Sequence, residues 1–366
     1  MTDRERILAI LRGDRPDRVP WCADLDYWYT ASLLSGSLPG AYRGADGRVR
    51  LTRDLGAGFY LQGYFPFREV HADLSVDERR DGDQVFRTIR TPAGDLTSVD
   101  RFLPTSFSWG TTKHLVETAD DLPAFLHYYR QLRVEPDFDE ARRRREWIGE
   151  DGVVLVYTPR SPFMQLATTF MGVENLVYLL LDEPDTMAEL LDLMERRHDE
   201  AAELAVAAPA DCVMIPENLS SEVVGDTYYR QYLRPYENRW IRRIREAGAY
   251  SFIHMDGTLR GLLSEVAETG FDVIEAVTPL PCGDLAMADI LARVPGPTIL
   301  WGGLPGALLT PSATEEEFTD HVVETLALLR REPRFVLGVA DQVPPDGLPD
   351  RVRRVRDLCD GYGRYD

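Results

Sequence analysis

The side chains able to do chemistry in this chain sit where short apolar runs stop. The run SFI ends in His254, Met255 and Asp256, DVI ends in Glu275, and CVMIP ends in Glu217 and Asn218. VVLV leads to Tyr157 and Arg160, TIL to Trp301 and LGVA to Asp341. Near the start, a run from Val19 to Ala23 ends in Asp24 and Asp26, followed by the aromatics Tyr27, Trp28 and Tyr29. Carboxylates dominate this set, with one imidazole among them. Acids brought within about 4 to 6 Å of one another repel unless protons or a cation compensate. Glutamate, aspartate and neutral histidine are competent zinc ligands, and three protein ligands with one open position make a catalytic site. Alternate side chains of a strand share a face, so His254 and Asp256 are expected to point inward together while Met255 packs outward.

Plainer roles exist for each of these residues. Asp256 precedes GTLRGLL and could cap a helix. Asp341 and Asp346 could serve turns in DQVPPDG, His254 could be a satisfied core histidine, and DYWY could be core packing rather than the wall of a substrate pocket. Glu217 is harder to explain this way, because glutamate is a poor cap and costly to bury unpaired.

The elements that must carry these residues follow from the pattern. From Val153 onward short apolar runs alternate with amphipathic stretches such as LRGLLSEVAETG and LAMADILARV, which is a succession of βα units. Six such strands, with about two more around Val19–Ala23 and GFYLQGY, make the eight of a parallel barrel covered on both faces. The expected fold class is therefore α/β, a (β/α)8 TIM barrel, with residues 1–366 as a single domain. In it, strand C-terminal ends converge on one mouth, where chemistry occurs. No GxGxxG follows the early strands, which argues against an open dinucleotide-binding sheet. At the start, Thr2 and Glu5 have capping-box spacing ahead of Ile7, Leu8 and Leu11, with Gly13 as the stop, so a short N-terminal helix is expected. DQVFRTIRTPAGDLTSVDRFL alternates apolar and polar residues on both sides of PAGD, the pattern of an inserted β-hairpin.

Bulk properties narrow the function. The 366 residues carry a net charge of −20, which disfavours nucleic acid and anionic membrane surfaces as partners. No long apolar stretch or basic-then-apolar leader is seen, so the expected location is the cytoplasm. Cys22, Cys212, Cys282 and Cys359 are far apart and form no CxxC pair, so reduced thiols are expected rather than a disulfide framework or a zinc ribbon. Lys113 is the only lysine, and its polar setting in TTKHL gives little support to Schiff-base chemistry.

Several segments taken in order resemble the uroporphyrinogen decarboxylase superfamily, which holds both the decarboxylase and corrinoid-linked methyltransferases. They are RERILAILRGDRPDRVP, RTPAGDL, SPFMQLATTFMGVENLVYLLLDEPDTMAELLDLM and VLGVADQVPPDGLPDRV. Where the decarboxylase carries an RQAGR-like segment that holds substrate carboxylates, this chain has ADLDYWY. Where the methyltransferases bind zinc through His-x-Cys and a cysteine near the last strand, it has HMD and Asp341. The resemblance thus implies a branch whose zinc site is richer in oxygen and which demethylates a small methoxylated compound, aromatic or not, or a methylated one. The methyl group would pass to the cobalt of a separate corrinoid protein. It implies Glu217 and His254 as metal ligands, with the third drawn from Asp341, Asp256 and Glu275 and Asp341 at the position of the last cysteine. Asp256 or Glu275 would relay the proton, while Asp24, Asp26, Tyr27, Trp28 and Trp301 would contact substrate. A homodimer is compatible with the sequence. The alternative on the same barrel is a metal-free decarboxylase or lyase of a small acid or a tetrapyrrole, with Arg160 holding a carboxylate.

Overall fold

The computed structural model describes residues 1–44, 46–58, 64–71, 74–104 and 106–366. They gather in two compact units, where the sequence reading took one domain. The first unit comprises Met1–Tyr64, Phe138–Tyr157 and Ala208–Asp366, and the second Phe65–Asp137 and Thr158–Ala207.

The first unit is built on an all-parallel sheet. Its strands are β1 (Trp21–Cys22), β2 (Leu155–Tyr157), β3 (Cys212–Ile215), β4 (Tyr250–His254), β5 (Val273–Val277), β6 (Ile299–Pro305) and β7 (Phe335–Ala340). In space they run β1-β7-β6-β5-β4-β3-β2, a TIM-barrel-like order. Six of the seven are the apolar runs after Val153, and they are buried almost throughout, as strands covered on both faces must be. The further strand expected near GFYLQGY falls mainly on residues 59–63, outside the described residues. Of its flanks, Gly58 bridges in parallel to Cys22, and the Tyr64 carbonyl accepts from the Tyr157 amide at 2.9 Å.

The inward side chains form the core. Leu155, Tyr157, Cys212, Met214, Phe252, Val273, Ile299, Trp301 and Val336 pack together with Ile7, Ile10 and Leu11 of the N-terminal helix Asp3–Leu11. That helix has its capping box: Thr2 Oγ1 accepts from the Glu5 amide at 3.1 Å, and Glu5 Oε2 accepts from the Thr2 amide at 2.8 Å. Because it meets Cys212, Val273 and Ile299, the first residues of their strands, it closes the end of the sheet opposite the strand C-termini.

The second unit holds the expected hairpin about PAGD, with Gln84–Thr91 antiparallel to Gly94–Leu103. It is the middle of a four-stranded meander completed by Ser75–Asp81 and Ser108–Lys113, so the hairpin expectation was too small. The outer strands escaped notice because Ser75–Asp81 is exposed at every residue and so carries no alternation of burial. Lys113 spends its ammonium on the carbonyl and hydroxyl of Thr97, at 2.7 and 2.8 Å. Among the described residues no helix is long and apolar enough to cross a membrane.

Candidate active site at the strand C-termini

Period-two alternation puts His254 above Phe252 on the inner face of β4. Parallel register places Glu275 of β5 directly opposite it. The result is a hydrogen bond of 2.6 Å from His254 Nδ1 to Glu275 Oε2, with His254 6% exposed and Glu275 fully buried. Accepting carboxylate and donating Nδ1–H fix the ring, so Nε2 is the nitrogen left to act. It faces Asp341 Oδ1 at 3.8 Å and Asp256 Oδ1 at 3.9 Å.

The backbone is bent to aim these groups. β5 shifts register against β6 between Glu275 and Val277, and Ala276 there is left-handed at φ 65°. A bulge of this kind re-aims its neighbour's side chain. It is accommodated by Gly302 at φ 141°, where an added Cβ would stand 2.6 Å from the Val277 carbonyl oxygen. Asp341, immediately after β7, is also left-handed at φ 68°, as is Asn218 at φ 56° in the loop after β3. Non-glycine residues in this region cost of order 1 kcal/mol each and cluster at functional sites.

The electrostatics follow from crowding of acids. Burial opposes the charged form of His254, but Glu275, by charge and hydrogen bond, and then Asp256 and Asp341 raise it to about 9. At neutral pH the metal-free imidazole is therefore a cation. Asp341 is raised to about 6 by burial and by Asp256 and Glu275, with His254 pulling the other way. Half its side-chain surface remains open to water, which screens part of this effect. Asp24 is pushed well above the usual carboxylate range by burial, then by Asp26, Asp341 and Glu275. Its Oδ1 accepts from the Asp26 amide at 2.8 Å, while its buried Oδ2 has no hydrogen-bond partner among the described residues. Burial also raises Asp26, against the pull of Arg48 and Arg144. Arg48 lies 3.3 Å from Asp26, and the Arg144 guanidinium stacks 4.6 Å over the Tyr64 ring.

The structure thus brings His254, Glu275, Asp256, Asp341, Asp24 and Asp26 into one electrostatic cluster. Other expected residues stand differently. Trp301 is fully buried in the core, its ring 5.7 Å from that of Phe252. Its indole rests on Gly338, where a Cβ would meet it at 2.8 Å. It is floor beneath the histidine rather than an open wall. Tyr157 is a core residue too. Tyr27 and Trp28 are half-buried, and the Trp28 indole donates to the Gly347 carbonyl at 2.9 Å. Glu217 is fully buried, in a loop tied to β4 by the Leu219 amide and the His254 carbonyl at 3.2 Å, and its charge acts on Glu237. Arg160 belongs to the second unit, where its carbonyl accepts from His198 Nδ1 at 2.8 Å.

Sequence reasoning missed Arg48 and Arg144, the cations nearest Asp26, and Glu237 with Tyr229, whose hydroxyl donates to Glu237 at 2.6 Å. All four lie in helical stretches whose polar residues read as solvated faces. Tyr229 and Glu237 are fully buried and Arg144 nearly so, and the strong amphipathic pattern of RPYENRWIRRIRE was the one available hint.

Among the described residues no three His, Cys, Asp or Glu side chains already stand at ligand distance around one point. The donor set nonetheless suits a cation. Two zinc–ligand bonds of about 2.1 Å each together span about 4.2 Å, so an ion shared between Nε2 and either facing carboxylate is within reach. A histidine whose other nitrogen is held by a carboxylate is the usual companion of such an ion.

The family profile described as Uroporphyrinogen decarboxylase (URO-D) matches residues 131–362. Two proteins named "Methylcobamide:CoM methyltransferase MtbA" are each 23% identical to this chain over 83% of it and 86% of their own length, one from Methanosarcina mazei and one from Methanosarcina acetivorans. A solved structure titled "methyltransferase from Methanosarcina mazei" superposes with a TM-score of 0.63 at 16% identity, covering 99% of each chain.

Proposed function

This chain belongs to the uroporphyrinogen decarboxylase family, and on that premise we propose that it is a zinc-dependent, corrinoid-linked methyltransferase. The donor in this reading is a small methoxylated compound, aromatic or not, or a methylated one, and the acceptor is the cobalt of a separate corrinoid protein. One observation carries the reading: Glu275 holds His254 by Nδ1 while Nε2 is turned on Asp341 and Asp256. The names of the relatives, which pair a methylated cobamide with methyl transfer, support the reaction class.

His254 and Asp341 are the residues that would hold the ion, with Glu217 in the adjoining loop as a further donor. Zinc there would supply Lewis acidity to the donor heteroatom and lower the cost of the leaving alkoxide or phenoxide. The protein's own groups do the rest. Glu275 fixes the imidazole tautomer and orientation. Asp256, 35% exposed at the rim, relays a proton from solvent to the leaving oxygen. Asp24 and Asp26 receive polar groups of the substrate, and Tyr27 and Trp28 flank its apolar part. None of the cysteines joins the cluster: Cys22, Cys212 and Cys359 are buried elsewhere and Cys282 is exposed. An oxygen-rich set is harder than a thiolate one and suits an oxygen donor better than a thiol acceptor.

The test is metal analysis of the purified protein followed by methyl transfer from methoxylated substrates to a corrinoid protein. Zinc near one equivalent, lost in His254→Ala and in Asp341→Ala together with the transfer, is the expected result. Full activity after exhaustive chelation would refute it. A second reading, a metal-free decarboxylase or lyase, draws on the imidazolium paired with Glu275, which could protonate a carbanion. Release of carbon dioxide from a small acid by chelated protein would favour it.

A further inference from the structure

The loop after β1 holds a polar group that the protein leaves incomplete. Asp24 is only 4% exposed, and its Oδ1 accepts from the Asp26 amide at 2.8 Å. Its main-chain carbonyl accepts from the Val343 amide at 2.9 Å, which ties it to the loop following β7. Its Oδ2 is buried and has no hydrogen-bond partner among the described residues. No basic group is among the influences on this carboxyl: burial raises it first, then Asp26, Asp341 and Glu275, and only the Asp26 amide pulls the other way. An ionised carboxylate so placed would be a buried charge among like charges, which is costly. The neutral acid avoids that cost, and because Oδ1 already accepts, its proton belongs on Oδ2. The protein then offers that O–H no acceptor, whereas buried donors are ordinarily satisfied.

A second unfilled donor lies on the same side of the mouth. Arg144 is 8% exposed, its Nε donates to Glu140 at 2.9 Å, and its guanidinium lies 4.6 Å over the Tyr64 ring. Its Nη1 is buried without a hydrogen-bond partner among the described residues. The Tyr64 carbonyl takes the amide of Tyr157, the last residue of β2, and the charge of Arg144 acts on Asp26, so the guanidinium stands by the C-terminal ends of β1 and β2. Glu140 answers the charge of Arg144 and Asp26 that of Arg48, so this wall has no surplus cation with which to draw an anion. What it lacks is an acceptor, since a guanidinium only donates.

We infer that Asp24 donates a hydrogen bond from Oδ2 to an uncharged oxygen of the substrate, and that it thereby selects an oxygen-bearing methyl donor over a methylated ammonium. This rests on the methyltransferase reading and decides between donors that the reading leaves open. An ammonium has no lone pair to accept the hydrogen and would stand against the Arg144 guanidinium. A methoxylated compound with a hydroxyl or carbonyl oxygen has lone pairs to accept it. A buried aspartic acid kept neutral so that it can donate is a known device for holding a substrate oxygen.

The experiment is calorimetric titration of the purified full chain with 4-methoxyphenol and, separately, with tetramethylammonium. 4-Methoxyphenol should bind saturably and about tenfold tighter or more. Asp24→Leu should weaken it about tenfold or more by removing the donor. Asp24→Asn keeps an acceptor for the Asp26 amide and a donor in place of Oδ2, and should weaken it about threefold or less. Infrared difference spectra between the unaltered protein and Asp24→Asn need no ligand: at pH 7, where an ordinary aspartate is ionised, loss of a carboxylic acid C=O band is expected. Loss of carboxylate bands instead would overturn the inference, as would preference for tetramethylammonium, equal damage from the two variants, or no binding of 4-methoxyphenol. If the variants melt early by circular dichroism, the preference of the unaltered protein between the two probes decides it. Methyl transfer to a corrinoid protein is assayed alongside. Preference for 4-methoxyphenol without transfer supports the role of Asp24 and counts against the methyltransferase reading; transfer from tetramethylammonium but not from 4-methoxyphenol does the reverse.

Discussion

Replacing Glu275 by Gln isolates the ion pair at the centre of the proposed site. In the metal-free protein His254 is raised from 6.5 to about 9, with burial opposing and Glu275 the leading favourable influence. At about 1.4 kcal/mol per pH unit, that displacement corresponds to about 3 kcal/mol. Because the folded value is the higher one, the stabilisation is fully present below the unfolded pKa of 6.5 and is lost as pH rises through about 9. Glutamine keeps an oxygen to accept from Nδ1 but removes the charge. His254 should then titrate at or below its ordinary value, and the alkaline loss of stability should largely vanish. Nuclear magnetic resonance titration of the imidazoles measures the first, and urea denaturation between pH 6 and 10 the second, both ends of that range bracketing the titration of the pair. The signal should be distinctive, since burial lowers His71, His198 and His321. A Glu275→Gln protein whose His254 still titrates on the alkaline side of pH 8, a unit below its raised value, would refute the reasoning.

Other outcomes follow from the same geometry. Zinc added to metal-free protein at pH 7.5 should release about one proton per ion, because a cationic imidazole must become a neutral ligand; calorimetry in buffers of different ionisation enthalpy reads this directly. Asp24→Asn should leave stability nearly unchanged near pH 3, below the unfolded value of 3.8, and raise it near pH 7, since the acid's elevated folded pKa means its stabilisation is lost as pH rises above 3.8 and an amide has nothing to ionise; equal effects at both pH values would count against a protonated Asp24. Gly338→Ala should cost roughly 1 to 3 kcal/mol, because the new methyl would overlap the Trp301 indole; a shift in tryptophan fluorescence should accompany the lowered melting temperature. Thr314→Ala should cost about 1 kcal/mol by removing the cap of helix Glu315–Leu329, where Thr314 Oγ1 accepts from the Glu317 amide at 3.2 Å; thermal denaturation checks it.

Much of the strand framework was legible because a buried parallel strand advertises itself locally: β4 and β5 are apolar runs that stop at polar residues, and both polar residues lie in the cluster. Period-two alternation also ranked Asp256 with His254 and set Met255 apart. What could not be read is which strand lies beside which. Trp301 ends the same kind of run as Glu275 does, yet it is core, because Gly338 on the neighbouring strand opens the space for an indole. The closeness of His254 and Glu275 depends on register and on the bulge at Ala276, neither of which has a local signature. Arg48 pairs with Asp26 and the charge of Arg144 also acts on it, from two separate helices, in a way that no periodicity encodes.

The pairing of β1 with β7 has a bearing on how the chain is made. Trp21 and Cys22 leave the ribosome long before their ladder partners Leu337 and Gly338, which lie far along the chain. Until β7 has been made, that earlier strand lacks its neighbour, and the apolar side chains of helix Asp3–Leu11 have only part of their eventual cover. Nascent chains should therefore be vulnerable to proteases and chaperone-dependent until late, and a stop codon anywhere before β7 should yield protein that aggregates instead of a smaller working enzyme.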